Sequence, residues 1–553
     1  MNPVIEAAQD RFRRAPGNAS LALEIAGYWR SSLRPRTALL WYRHARHLGV
    51  PDRTVLPAIA RCQTLACDTD DARETWDEIE KRFPDPALAL SRLTQCAPIQ
   101  ASAETITRLH ERTRGALAAL RRLPAAIDSG EPPPWIDAPM PFYFSYHGLD
   151  TRTLFEQVSA TARHLIPGLR AGRGPTTAAP RSGRIRVGFA TPHHDNHTIA
   201  KLYVGLLRNL DRDRIQTWLI THLPLLSRRA DDSLIPCTDQ QVYVPKSLDE
   251  IHRQVAALGL DVLILPHVGM GQMNSLMAYR RMAPVQVASW GNPDTGGIDT
   301  VDHYLSCDAF EPAGAEANYT ESLVRLQFPP ACIAADQGTQ PDADTRRTWG
   351  MVPGVRTYGC PQSLFKLHPE FDRYLADLLR ADAKGVVLLI EPRESAWRKA
   401  LLARLGRTLD SEELSRVRFL PRLPNDQFIG LLACCDVLLD PLHFGCGGTA
   451  YQAFSVGTPI ITQPGNFLRS RIVAGLYEQM GIEGLTASNR EEYVALALAV
   501  AEPEQRAAYS KAILEAGYRI FSTHSAVREF EDWLVMTAER TRSAQSDIAV
   551  TAR

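Results

Sequence analysis

At 553 residues the chain is too long for a single hydrophobic core, and its length predicts about three or four domains. Lysine plus arginine and aspartate plus glutamate both number 62, so the formal net charge is zero, which argues against nucleic acid or a membrane surface as an electrostatic partner. Ten cysteines show no CxxC spacing, and Cys434-Cys435 sit in what reads as an apolar strand; they predict buried thiols in a reducing compartment, not a disulfide frame or a zinc knuckle.

The opening MNPVIEAAQDRFRRA lacks the basic-then-apolar pattern of a signal peptide, and no apolar run approaches the ~20 residues needed to span a bilayer. A soluble, cytoplasmic protein is expected. Residues 1–130 read as helical and repetitive. Ala26, Ala38, Tyr42 and Ala45 recur about 34 positions later as Ala60, Ala72, Trp76 and Ile79, the period of tetratricopeptide repeats. Small residues let paired helices approach, and the aromatic fills the groove between them. Leu40-Trp41-Tyr42 and Glu74-Thr75-Trp76 are expected on the second helix of each pair.

Residues 131–183 read as a linker with one connecting helix. EPPPWIDAP cannot be regular helix, Leu154–Leu165 is apolar at helical spacing, and GLRAGRGPTTAAPRSGR is a linker by composition. From Arg184 strand and helix signals alternate. IRVGFA, TWLITH, DVLILP and VQVASWG form one run within residues 184–345. TYGC, VVLLIEP, VRFLP, DVLLDP and TPIITQ form a second within 346–520. Two such runs predict two doubly wound α/β domains with a cleft between them. The last helical stretch, within 521–553, is long enough to cross back onto the first of these domains.

Three segments carry chemistry. TPHHDNHTIAK (191–201) follows the first strand, so it faces the cleft. His193 and His197 have the spacing of metal ligands on a helix and His194 lies between them, but Pro192 and Asn196 indicate a turn, and no Glu completes an HExxH pattern. A polar, cleft-lining role for His197 fits better than a metal. CPQSLFKLHP (360–369) follows the first strand of the second run. Lys366 stands there where a lysine neutralises a diphosphate and assists a charged leaving group. HFGCGGTAYQAF (443–454) follows DVLLDP. Gly445, Gly447 and Gly448 let the backbone approach a ligand, and Thr449 is expected near the N-cap of the next helix, whose N–H groups and dipole suit a phosphate.

APVQVASWGNPDTGG (283–297) is a strand and turn that shapes a pocket at most. The GMG at 269–271 lacks the third glycine of a dinucleotide fingerprint. DxD triplets at 68–70, 211–213 and 342–344 do not end hydrophobic strands, so they are not read as metal sites.

With these segments assembled, the chain resembles the family of O-linked N-acetylglucosamine transferases and its bacterial relatives, which include cytoplasmic enzymes that glucosylate asparagine on adhesins. The resemblance rests on TPHHDNHT, APVQVASWGNPDTGG, TVDHYLSCDAFEP, NYTESLVRL, CPQSLFKLHP and DVLLDPLHFGCGGTAYQAFSVGTPIITQPG in that order, over about residues 184–540. It implies a GT-B fold of two Rossmann-like domains behind tetratricopeptide repeats. The implied activity is metal-independent, inverting transfer of N-acetylglucosamine or glucose from a UDP-sugar to a protein side chain, with no cofactor beyond the donor.

Carried over residue by residue, His197 matches the histidine facing sugar and acceptor, and Lys366 matches the diphosphate lysine. Gln362 and Ser363 lie in the same donor loop, Thr449 at the diphosphate helix, and Arg422 and Leu423 where the backbone reads uracil. Asn292, Gly448, Gln452, Asn425 and Phe428 depart from residues common in the family, which bears on the donor sugar and, less, on activity. The repeats suit an acceptor protein or self-association into a homo-oligomer. Two other readings stand beside this one: a non-catalytic interaction protein with a degenerate transferase domain, and an enzyme of the same fold acting on a glycan or small molecule.

Overall fold

The computed structural model describes residues 3–124, 139–170, 183–193, 197–222, 234–245, 247–336, 346–347 and 349–551. Most of the two linker segments read above, His194 and the DxD at 342–344 lie outside them.

The N-terminal region is all helix. Ala19–Ser31 pairs with Pro35–His47, and Asp52–Leu65 with Thr69–Arg82, so the sequence period is one helical hairpin. The eight repeated positions are all buried: Ala26, Ala38, Ala45, Ala60 and Ala72 let the helices close, while Tyr42, Trp76 and Ile79 fill the seams. The helices dock on the C-terminal α/β unit. Trp397 Nε1 donates to the Leu65 carbonyl at 2.6 Å, and Arg36 pairs with the buried Glu394 at 3.2 Å.

Two parallel sheets follow. The first has seven strands: β1 (Ile185–Ala190), β2 (Ile215–Thr221), β3 (Gln240–Tyr243), β4 (Val262–Leu265), β5 (Val285–Ser289), β6 (His303–Cys307) and β7 (Ser322–Leu326), ordered β3-β2-β1-β4-β5-β6-β7. The second has β8 (Thr357–Gly359), β9 (Val386–Ile390), β10 (Val417–Leu420), β11 (Val437–Leu439) and β12 (Ile460–Ile461), ordered β10-β9-β8-β11-β12. The central strands are buried on both faces, as parallel strands covered by helices must be. In each sheet the order reverses once, at β1/β4 and at β8/β11, and the crevice at the carboxyl ends there is where such sheets take ligands.

The strand read around Cys434-Cys435 begins later than expected. Helix Asn425–Cys434 uses that apolar stretch for its own core-facing side, and only Val437–Leu439 is extended. All ten cysteines are described and none is disulfide-bonded; nine are buried.

The final helix, His524–Thr551, returns to the first sheet. Glu531 accepts from the Asp211 N–H and pairs with Arg214, and Arg542 forks onto the buried Asp261 at 2.7 and 2.8 Å. A second tie joins the sheets directly. Arg469, after β12, donates to Asp294, after β5, at 3.0 Å, with both side chains almost fully buried, and it also donates to the Leu149 carbonyl at 2.7 Å.

Candidate active site

The glycine-rich turn after β11 is built around a carboxylate. Asp440 ends the strand, is fully enclosed, and accepts from the Cys446 N–H at 2.6 Å and the Thr462 hydroxyl at 2.7 Å. Burial pushes its pKa up to about 6, against the lowering effect of those hydrogen bonds and of nearby Lys366. A side chain at Gly445 would meet the Asp440 carboxylate at 2.7 Å, so glycine is needed there for close approach. Helix Gly448–Ser455 then opens from Gly447 with no side-chain cap, leaving N–H groups at its first turn for a ligand. Thr449 is the second helical residue, slightly inside the position expected for it.

Lys366 reaches this turn from the loop after β8. Its Nζ donates to the Gly445 carbonyl at 2.8 Å and to Gln362 Oε1 at 2.9 Å, and it lies 5.0 Å from the centre of the Phe444 ring. An ammonium has three donors, so one N–H remains for an anion. Desolvation holds its pKa below the usual lysine value. Gln362 is buried and also donates to Cys446 Sγ at 3.2 Å, so both ends of its amide are engaged within the turn. Ser363 is exposed at the start of the short turn Leu364–Lys366. Arg404 anchors the loop from behind: it forks onto the buried Asp372 at 2.8 Å and binds the carbonyls of Leu367 and of Gln100 in the helical region.

Across the cleft, His197 caps helix Thr198–Asn209 by accepting the Ile199 N–H on Nδ1 at 3.2 Å. Burial lowers its pKa, so the ring is neutral near pH 7 and carries its proton on Nε2. In this arrangement His197 offers a hydrogen-bond donor to the cleft; acting as a base would first require breaking the cap. His193 stacks on it face to face, centroids 3.8 Å apart at 11°, a geometry in which the in-plane lone pairs run side by side and do not converge on one ion. His267, after β4, is fully buried 5.3 Å from His193, and neither ring nitrogen has a hydrogen-bond partner among the described residues.

The two sides nearly touch. A Cβ on Gly448 would lie 2.9 Å from Thr198 Cγ2. Beside this contact is a cavity of about 400 Å³ whose lining includes His197, Thr198, Lys201, Asn425, Gly448 and Gln452. Asn425 Oδ1 accepts from both Lys201 (3.1 Å) and Gln452 (2.9 Å), bridging the sheets. His197, Gly448 and Gln452 are thus brought together, with Gly447, Thr449 and Lys366 along the same turn. Arg422 and Leu423 are not among them: they follow β10, two strands from the switch point, where Arg422 is exposed and Leu423 packs on the core. Asn292 is spent on structure, donating to the Val268 carbonyl at 2.6 Å. Sequence reading missed Lys201, His267, Asp294 and Arg469. Of these only His267, directly after an apolar strand at a switch point, carried a local signal.

Two facing doubly wound sheets with a glycine-rich turn at the second switch point define a GT-B architecture. Among solved structures, an O-GlcNAc transferase mutant from Thermobaculum terrenum matches 98% of this chain and 94% of its own, with a TM-score of 0.68 at 19% identity. No protein-family model matches the chain. In sequence it is similar to O-linked N-acetylglucosamine transferase-like proteins. A Solanum lycopersicum protein named probable UDP-N-acetylglucosamine–peptide N-acetylglucosaminyltransferase SPINDLY is 27% identical over 227 residues, 40% of this chain and 24% of that protein. An Actinobacillus pleuropneumoniae protein named UDP-glucose:protein N-beta-glucosyltransferase is 24% identical over 267 residues, 47% of this chain and 41% of that protein. The chain therefore matches about a quarter to two-fifths of the length of these relatives. No helix among the described residues is long and apolar enough to cross a membrane.

Proposed function

We propose that this chain is a metal-independent, inverting glycosyltransferase that moves N-acetylglucosamine or glucose from a UDP-sugar to a protein side chain. The observation that carries the reading is the Lys366 ammonium, fixed against the Gly445 carbonyl beside an uncapped helix N-terminus, with one N–H to spare. A diphosphate leaving group gathers negative charge as the sugar bond breaks, and fixed donors in a part-buried site stabilise that charge without reorganising. In this reading Lys366 and the N–H groups of Gly448 and Thr449 hold the diphosphate, and Gln362 positions the lysine. Ser363, Gly447 and Gln452 border the donor, Arg422 and Leu423 read the base, and His197 Nε2–H faces sugar and acceptor. Residues 184–345 form the acceptor-side domain and 346–520 the donor domain. The repeats hold the acceptor protein, in the cytoplasm.

One observation favours a second reading, a binding protein without turnover: Lys201 and Gln452 both donate to Asn425 Oδ1, so all three are engaged at the cavity wall. Calorimetric titration with UDP, then hydrolysis of a UDP-sugar panel, separates the two. Turnover of one donor, falling about a hundredfold or more in Lys366→Ala with melting unchanged, is expected. UDP binding with no turnover of any sugar selects the second reading, and wild-type turnover by Lys366→Ala refutes the mechanism.

A further inference from the structure

Three ligating side chains that the donor reading leaves unused meet where the loop after β8 touches the turn after β11. His443 Nε2 lies 2.9 Å from Glu370 Oε2, and His368 Nδ1 lies 3.8 Å from the same oxygen. The two imidazoles meet edge to face, centroids 4.5 Å apart at 80°, and the three ligand atoms all fall within 4.8 Å of one another. Tetrahedral zinc, with bonds of about 2.0–2.2 Å to nitrogen and oxygen, sets its donor atoms roughly 3.3–3.6 Å apart, so the two donor pairs that include Glu370 need shifts of about half an ångström and the pair of imidazoles about 1 Å at most to form a coordination shell.

The surroundings hold the two rings in place. His368 is buried, and Nδ1 is the ring nitrogen that faces Glu370. Nδ1 now accepts only a long 3.3 Å bond from the Glu370 N–H, which a cation would displace. His443 sits at φ 68°, a left-handed conformation that non-glycine residues seldom adopt, and its ring lies against Gly148, itself at φ 71°. Next to it, Phe444 stacks on Tyr146 at 4.2 Å. Glu370 is about half exposed, which opens a path for an ion and a place for a water.

We infer that His368, Glu370 and His443 form a binding site for a divalent transition-metal ion of the zinc type, with water in the fourth position. Two imidazoles and one carboxylate are a zinc-like set, whereas magnesium and calcium take all-oxygen shells. Binding moves the His443 proton from Nε2 to Nδ1 and replaces its hydrogen bond to Glu370 with two bonds to the ion. The site stands apart from the sugar-transfer chemistry. His368 follows Lys366 closely in the chain and His443 precedes Gly445, so a bound ion ties together the two loops that hold the lysine; this consequence, unlike the binding itself, rests on the donor reading.

The test is calorimetric titration of the metal-stripped full chain with Zn²⁺, and with Mg²⁺ in parallel. The wild type is expected to bind one zinc equivalent that is lost in both Glu370→Gln and His443→Asn, with no response to magnesium. Asparagine tolerates the left-handed region and Glu370 is exposed, so both variants are expected to fold, as circular dichroism checks. Substitution with Co²⁺ should give tetrahedral ligand-field bands without a thiolate charge-transfer band, and Cys67→Ser should leave them unchanged. Unaltered zinc stoichiometry in the two variants, or a thiolate band that Cys67→Ser removes, overturns the assignment. No nucleotide enters this titration, so a failure to bind UDP leaves its outcome untouched.

Discussion

Replacing Asp294 with alanine is expected to destabilise the protein by about 3–5 kcal/mol, the usual cost of stranding one member of a buried ion pair. Arg469 and Asp294 keep only 2% and 3% of their side-chain surface exposed, so water cannot take the place of the lost partner. Asp294 Oδ1 accepts from Arg469 at 3.0 Å, from the Thr151 hydroxyl at 2.8 Å and from the Thr295 N–H at 3.0 Å, and all three bonds go at once. At an effective dielectric of about 20, unit charges at that separation attract by roughly 5 kcal/mol. Arg469 keeps its bond to the Leu149 carbonyl, which moves the expected loss toward the lower end. The assay is a double-mutant cycle of Asp294→Ala and Arg469→Met, read by urea unfolding. The double variant should be more stable than the sum of the single losses by about 2 kcal/mol or more, since removing both charges leaves none stranded. A single variant within about 1 kcal/mol of wild type, or an additive cycle, would show that the pair is hydrated and does not clamp the sheets.

Asp440 gives a pH signature. Its folded pKa, about 6, lies above the ordinary 3.8, so the folded state holds the proton more tightly; that stabilisation is full below pH ~4 and is lost as pH rises through ~6. The loss is on the order of 3 kcal/mol. Asp440→Asn should lack this decline, and a wild-type-to-variant stability gap that stays constant from pH 4 to 7 would disprove it. Gly475 lies in helix Ile472–Met480, where an added Cβ would stand 2.5 Å from the Ala309 carbonyl oxygen and 2.6 Å from Phe310 Cδ1. Gly475→Ala should therefore lower stability by about 1–3 kcal/mol in thermal unfolding despite alanine's better helix propensity; a stabilised variant would mean that helix and loop slide apart freely.

What the sequence determined is what short-range periodicity can encode. Four of the five strands of the second sheet were legible because buried parallel strands are apolar runs, and the edge strand β10 because three of its four residues are apolar. The helical hairpins were legible because small and aromatic residues return every turn of the repeat, and the glycine-rich turn because glycine is required where Gly445 meets Asp440. β3 was not legible: QQVY is a solvent-facing edge strand, and an edge that faces water carries no apolar signature. β7, SLVRL, mixes polar residues in the same way at the other edge, while β6, HYLSC, is buried but broken by His303 and Ser306. Only the tertiary structure decided the rest. It placed Thr198 against Gly448, Lys366 on the Gly445 carbonyl, Asp294 on Arg469, and Glu370 between two histidines. The physical reason is that each of these contacts joins elements far apart in the chain, brought together by the reversal of strand order in each sheet and the docking of one sheet on the other. No window of neighbouring residues contains that information.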